Sequence, residues 1–277
     1  MSGQLTQQQP QTLNSLMNSP AVIKKLNDVL GSEKKAASFV SSVISVANGS
    51  TMLRNVNPMT ILGSAMVAAT LDLPIIPTLG LAYIVPYKGQ CQFQLGYKGL
   101  IELAERSGQF KNIIDEVVYE GQLVKKNKFS GEYEFDEDAK TSDKVIGYMA
   151  RIDLMNGFSK TIFWTKEEVE KHAGRFSQSY RGGKSSPWQT DFDAMARKTV
   201  LKSLFSKYAP KSVAIQNAIK FDQAVVKPSD ALTDEDLQID AYDVEYVDNP
   251  EEVTDPNDEE VRPSGDLFDG TDKKSKK

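Results

Sequence analysis

Few residues in this chain have the types and spacing to do chemistry. Gly183-Lys184-Ser185 reads like the end of a P-loop, whose glycine-rich backbone cradles a nucleotide's phosphates while the lysine reaches them. That motif needs a glycine five positions before Gly183, where Gln178 stands, and a strand leading into the loop, where the pattern gives none. A flexible basic loop explains the segment better than an ATP site. Cys91 falls in a strand-like run with no His or Asp beside it, which suits a half-buried strand cysteine rather than a nucleophile. His172, near the end of a predicted helix, reads as a surface or dipole-facing residue rather than a general base. Asp136-Glu137-Asp138 could collect a divalent ion, although a solvated charged loop is the plainer reading. Asp115, Glu116 and Lys125 hint at a metal-dependent nuclease, but their spacing is loose. With one Cys and one His in 277 residues, an internal disulfide, a multi-cysteine metal centre and an H-E-x-x-H site are all excluded. The chain offers no catalytic set, and neither a cofactor nor a metal is expected.

Two segments that mix basic and aromatic residues carry a stronger signal. One runs from Gln94 through Tyr97 and Lys98 to Arg106 and Lys111. The other runs from Arg175 to Lys202 and holds Phe176, Tyr180, Arg181, Lys184, Trp188, Arg197 and Lys198. Lys and Arg neutralise phosphates and release counterions. Ser and Gln side chains contact a phosphodiester backbone without reading its sequence. Interleaved aromatics stack on bases, each contact worth on the order of 1–3 kcal/mol. Trp188, at a helix start, suits core packing as well as stacking, whereas Tyr180 in a basic loop reads as exposed.

The charge distribution points the same way. The formal net charge is −5, but residues 229–277 hold 17 Asp+Glu against 5 Lys+Arg, a net of −12. Residues 1–228 therefore carry +7, and residues 171–227 alone carry +8. A basic body with an acidic tail fits a nucleic-acid-binding protein with an interaction tail; a solvated surface with a solubilising tail is the alternative. No apolar run approaches the roughly 20 residues that span a bilayer, and no secretory signal opens the chain, so a cytoplasmic protein is expected.

The elements that must position these residues can be read from periodicity and punctuation. The first 20 residues are polar and expected to be flexible. Pro20 to Gly31, Ser32 to about Val46, and Asn57-Pro58 to near Leu71 read as three helices forming an N-terminal lobe. Leu81–Tyr87 and Gln90–Tyr97 predict a hairpin turning at Lys88-Gly89, and Gly99–Ser107 a short helix. Ile113–Tyr119, Val145–Leu154 and Phe158–Trp164 predict strands, the last two joined by a type I′ turn at Asn156-Gly157. Lys125–Asp143 is a charged loop or weak hairpin. Thr165 to Glu168 matches a capping box opening a helix to about Ala173. Gly174–Ser186 reads as a loop, Pro187–Tyr208 as one long, largely buried helix carrying Lys198 and Lys202 on one stripe, and Val213 to about Val225 as a last helix. The fold class is α+β: a helical N-terminal lobe, a central antiparallel sheet flanked by helices, and a disordered acidic C-terminal tail. The expected division is residues 1–31 as a flexible segment with the first helix, 32–228 as the core, and 229–277 as the tail.

Leu95–Phe110 (LGYKGLIELAERSGQF) and Phe163–Tyr208, above all Ser186-Pro187-Trp188 followed by Phe192, Met195 and Arg197-Lys198-Thr199, resemble the signature of the RecT family. The resemblance spans about residues 34–225. It implies a phage or prophage recombinase that binds single-stranded DNA, assembles into rings or helical filaments, and anneals complementary strands through a duplex intermediate without ATP. It also implies a 5′→3′ exonuclease as partner. An annealer must hold phosphates and leave base edges open. On that reading Lys98, Arg106, Lys111, Arg181, Lys198 and Lys202 line a groove, with Lys144, Arg175, Lys184 and Arg197 beside it and Tyr180 available for stacking. The apolar N-terminal lobe is the expected subunit contact. The tail would screen the groove, recruit a partner such as the host single-strand-binding protein, or serve solubility. A passive single-strand-binding module and the metal-dependent nuclease remain as alternatives.

Overall fold

The computed structural model describes residues 12–182, 186–227 and 243–246. Residues 1–11 of the 20 expected to be flexible, most of the acidic tail expected to be disordered, and Lys184 lie outside the described residues.

Prolines and caps set the helix boundaries of the N-terminal lobe. Helix α2 (Pro20–Leu30) begins on its proline and ends where Gly31 turns left-handed at φ 65. Ser32 caps α3 (Glu33–Gly49) by accepting from the Lys35 amide. Asn57 caps α4 (Pro58–Thr70) by accepting from the Met59 amide. The polar first 20 residues conceal a further short helix, α1 (Leu13–Met17), capped by Thr12. Its Leu16 and Met17 are fully buried, an apolar pair too short to show a period in the sequence. Helix α4 buries every residue from Thr60 to Ala69, so its apolar character is consumed inside the fold.

Strands β1 (Ala82–Tyr87) and β2 (Gln90–Leu95) form the expected hairpin, with Lys88 and Gly89 both at positive φ as a type I′ turn requires. Helix α5 (Tyr97–Arg106) follows. The main sheet has the antiparallel order β3 (Phe110–Tyr119), β6 (Val145–Leu154), β7 (Ser159–Thr165), with Asp115 opposite Ala150 and Ala150 opposite Ile162. The charged stretch between β3 and β6 is a separate hairpin of β4 (Leu123–Asn127) and β5 (Glu132–Phe135). The Asn156-Gly157 connection is not the predicted type I′ turn. Only Gly157 is left-handed (φ 88), and the Asn156 side chain accepts from the Phe158 amide, which makes a three-residue loop with the glycine as its bulge.

Helix α6 (Lys166–Phe176) starts on the predicted capping box at Thr165 and Glu168. The segment expected to be a loop contains a helical turn, α7 (Gln178–Gly182). The predicted long helix divides at Asp191 into α8 (Pro187–Thr190) and α9 (Phe192–Tyr208), because the Asp191 side chain accepts from the Ala194 amide and starts α9 anew. Helix α10 (Val213–Phe221) stops short of Val225: Gln223 sits at φ 68 and its amide donates to the Phe93 carbonyl. The chain then becomes strand β8 (Ala224–Lys227), which pairs antiparallel with β9 (Asp243–Tyr246) from the acidic segment. Helices α9 and α6 pack on the main sheet, and α4 packs under the β1–β2 hairpin and β8. One continuous core runs through both halves, giving the α+β architecture.

Candidate nucleic-acid interface

The motif Leu95-Gly96-Tyr97-Lys98-Gly99 is a packing device before it is a binding one. A Cβ on Gly96 would sit 1.9 Å from the Gly80 carbonyl oxygen, and one on Gly99 would sit 2.0 Å from that of Leu81. Both glycines let the first turn of α5 rest on the backbone leading into β1. That contact aims Tyr97 inward, where its hydroxyl donates to the buried Asp115 of β3. Arg197 of α9 completes the group, with Nε 2.7 Å from Asp115 Oδ2 and Nη2 2.8 Å from the Asp115 carbonyl. Burial, reinforced by Asp115, holds the Tyr97 phenol well above its usual pKa, so it stays a neutral donor. Arg197 is thus committed to an internal link, and so is Asp115, which the nuclease reading would need as a metal ligand. Among the described residues no three His, Cys, Asp or Glu side chains gather closely enough to hold a metal ion.

Lys198 and Lys202 do share a stripe of α9, and that stripe faces the protein. Lys198 Nζ donates to the Leu95 carbonyl at 2.7 Å, and Lys202 pairs with Asp222, whose other oxygen accepts from the Leu95 amide at 2.9 Å. Burial lowers the Lys198 pKa. Burial alone would raise Asp222, but Lys202, Lys198 and the Leu95 amide outweigh it and hold the carboxyl low. The two lysines therefore lock α9 to the end of β2 and the end of α10.

The second basic segment is organised around Trp188, which is buried as core packing predicts. Its Nε1 donates to Ser177 Oγ at 3.0 Å, and its ring meets Tyr180 edge-on at 5.4 Å. Tyr180 is accordingly half-buried against Trp188 rather than free in a loop. His172 is not a surface residue: it packs between Trp164 and Phe176, and burial, with Lys202 and Arg175 nearby, pushes its pKa down to about 4. Arg175 and Arg181 remain exposed on this segment, the Arg181 guanidinium donating to the Arg175 carbonyl.

Lys98 and Lys111 are exposed and line one groove of about 540 Å³ between α5 and the start of β3, together with Tyr97, Ile101, Glu102 and Glu105. Arg106 reaches away from it, donating to the Leu71 carbonyl at 2.8 Å beside Glu102. Lys144 lies apart from the groove, paired with Glu120 at 3.3 Å. Lys98, Arg106, Lys111, Lys144, Arg175 and Arg181 are therefore exposed, Arg106 and Lys144 beside Glu102 and Glu120, whereas Arg197, Lys198 and Lys202 face inward. One further basic, aromatic run lies outside the two signature segments. Lys125 and Lys126 lie on β4, and Lys128 and Phe129 at the turn of the β4–β5 hairpin, within the stretch that the sequence marks as a charged loop or weak hairpin.

The RecT family model matches residues 37–238. The chain belongs to the RecT family. It is 45% identical over 268 residues to the uncharacterized protein YqaK of Bacillus subtilis, covering 95% of this chain and 88% of that one. It is 28% identical over 257 residues to Protein RecT of Escherichia coli, covering 86% of this chain and 89% of its relative. Membership gives the chain a general role in DNA recombination through DNA binding and single-strand annealing. Both RecT-like signature segments lie within the matched region, and the inward cations sit within or close beside them. Among the described residues no helix is long and apolar enough to cross a membrane.

Proposed function

We propose that this RecT-family protein is an ATP-independent annealing protein that coats single-stranded DNA as an oligomer and pairs it with a complementary strand. The observation that carries the proposal is the family match over residues 37–238, joined to a basic body that leaves Lys98, Lys111 and Arg175 exposed on the two signature segments and beside them. Lys98 and Lys111, with Arg175 and Arg181 on the second segment, grip phosphates and leave bases accessible. Arg197, Lys198 and Lys202 position these segments rather than touch DNA, and Lys144 and Lys184 supply further charge. A 5′→3′ exonuclease supplies the single strand, and the acidic tail screens the DNA-binding surface or recruits a host single-strand-binding protein. No side chain need act as a catalyst.

Two measurements test this. Mixing complementary oligonucleotides with the protein in the absence of nucleotide is expected to speed annealing; protection of the strands without annealing identifies a passive binder instead. In a salt titration of single-strand binding, Lys98→Ala and Lys111→Ala are each expected to reduce the slope of log K against log salt by about 0.7. An unchanged slope in both removes them from the interface.

A further inference from the structure

The turn of the β4–β5 hairpin carries the most exposed large apolar side chain among the described residues, Phe129 at 93%. The turn is built to present it. Asn127 Oδ1 accepts from the amides of Phe129 and Ser130 at 3.1 and 3.2 Å. Gly131, at φ 72, lies so close to Lys160 of β7 that an added Cβ would stand 2.6 Å from the ammonium. Behind the turn, Tyr133 and Phe135 pack on Phe163 of β7 at 6.4 and 6.1 Å. An aromatic ring held in water on so well anchored a turn marks a contact surface.

The charges around the ring select what it contacts. Residues 125–131 hold three lysines and no carboxylate. The Lys128 ammonium lies 5.6 Å from the Phe129 ring, that of Lys126 5.1 Å from Phe163, and that of Lys160 5.1 Å from Tyr208 at the end of α9. Two carboxylates of this neighbourhood are engaged: Glu132 pairs with Lys125 at 3.2 Å, and Glu168 accepts from the Thr165 amide at 2.7 Å. Lysine is depleted from protein–protein interfaces. Lysines interleaved with an exposed ring suit a single strand of nucleic acid, whose phosphates take the cations and whose bases stack on the ring.

This surface is separate from the α5–β3 groove. The hairpin packs on β7, the groove lies at β3, and β6 runs between them, so two interstrand spacings of about 4.8 Å divide the two. No hairpin residue lines the groove. We propose that the β4–β5 turn is a second single-strand site, in which Phe129 stacks on a base of the incoming complementary strand while Lys126, Lys128 and Lys160 hold its phosphates. The first strand stays with Lys98 and Lys111. This rests on the annealing reading above and gives the second strand a holder of its own.

The test loads the full chain with an unlabelled oligothymidine, then adds a fluorescent oligodeoxyadenylate and follows annealing, with first-strand affinity measured separately. Phe129→Ala is expected to slow annealing about 5- to 150-fold, the worth of one stacked base, with first-strand affinity within about twofold and the parent rate kept by Phe129→Trp. Lys128→Ala combined with Lys160→Ala is expected to flatten the dependence of the annealing rate on salt. With p-benzoylphenylalanine in place of Phe129, irradiation is expected to cross-link the fluorescent second strand. A parent-like rate in Phe129→Ala, or no cross-link to the second strand, overturns the site. Cross-linking to the first strand with loss of first-strand affinity also overturns it, merging the turn with the groove, and cross-linking to protein alone makes the turn a protein contact instead. A parent chain that protects the first strand without annealing overturns the annealing reading, and the second-strand site falls with it.

Discussion

Lys198 and Lys202 show how far residue types can be read and where that reading stops. Their four-residue spacing does put them on one stripe, and their charge suggested phosphate. What the sequence cannot display is that the stripe meets Asp222 and the backbone of Leu95, distant in the chain but adjacent in the fold. Asp222→Asn removes the counter-charge of two enclosed ammonium groups, and breaking a buried pair in this way costs about 3–5 kcal/mol. The expected result is a loss of that size in urea unfolding, with DNA binding falling only as the folded fraction falls. Lys111→Ala should do the reverse, leaving stability within about 0.5 kcal/mol while lowering the salt slope. His172 adds a pH signature. Its folded pKa of about 4 lies below the unfolded value of 6.5, so the unfolded chain binds more protons between those limits. Stability is therefore full above pH 6.5 and is lost as pH falls toward 4, by about 1–2 kcal/mol once the residue's remaining exposure is allowed for. Unfolding free energies across that window should fall less for His172→Phe than for the parent.

At the scale of elements, legibility follows how local the determinant is. The capping box at Thr165, the prolines opening α2 and α4, and the Lys88-Gly89 turn each act within four residues, and each appears where the sequence places it. The break at Asp191 and the end of α10 depend on a cap chosen over helix continuation and on a reach to the Phe93 carbonyl, so periodicity alone ran through both. The candidate interface divides in the same way: its residue types were visible, but the direction each cation faces was not. The glycines of the family signature illustrate this most clearly, since the role of Gly96 is set by the Gly80 carbonyl and that of Gly99 by the Leu81 carbonyl, both distant in the chain. Gly99→Ala would drive a Cβ to 2.0 Å from the Leu81 oxygen, a clash with backbone that no rotamer relieves. The first turn of α5 must then lift, carrying Tyr97 off Asp115. The expected loss is more than about 3 kcal/mol, the range of diagnostic core lesions. Gly108→Ala, at a position with open space but φ 63, should cost only about 1 kcal/mol. Comparable unfolding midpoints for the two variants would show that the α5 contact is not tight.

For the whole molecule, the charge split acquires a physical hinge. Strand β9 belongs to the acidic segment yet pairs with β8, whose Ala224, Val225 and Val226 are fully buried, so the tail is tied to the core near residue 246 rather than leaving it at Pro228. Two truncations then separate structure from charge. Ending the chain after Lys227 strips β8 of its partner and exposes its edge, and the unfolding midpoint should drop. Ending it after Tyr246 keeps the pair but deletes ten Asp+Glu and five Lys+Arg, a net of −5. If the tail screens the body, this shorter chain should bind single strands several-fold more tightly at low salt. The gain should vanish at high salt, because screening lengths shrink from about 30 Å at 0.01 M to about 3 Å at 1 M. Unchanged affinity at every salt concentration, with annealing intact in vitro but recombination lost in cells, would assign the tail to recruitment. Unchanged behaviour in all three measurements would leave it only solubility. Because the cut preserves β9, a change in affinity cannot be traced to a loosened core, which the shorter truncation alone would leave confounded.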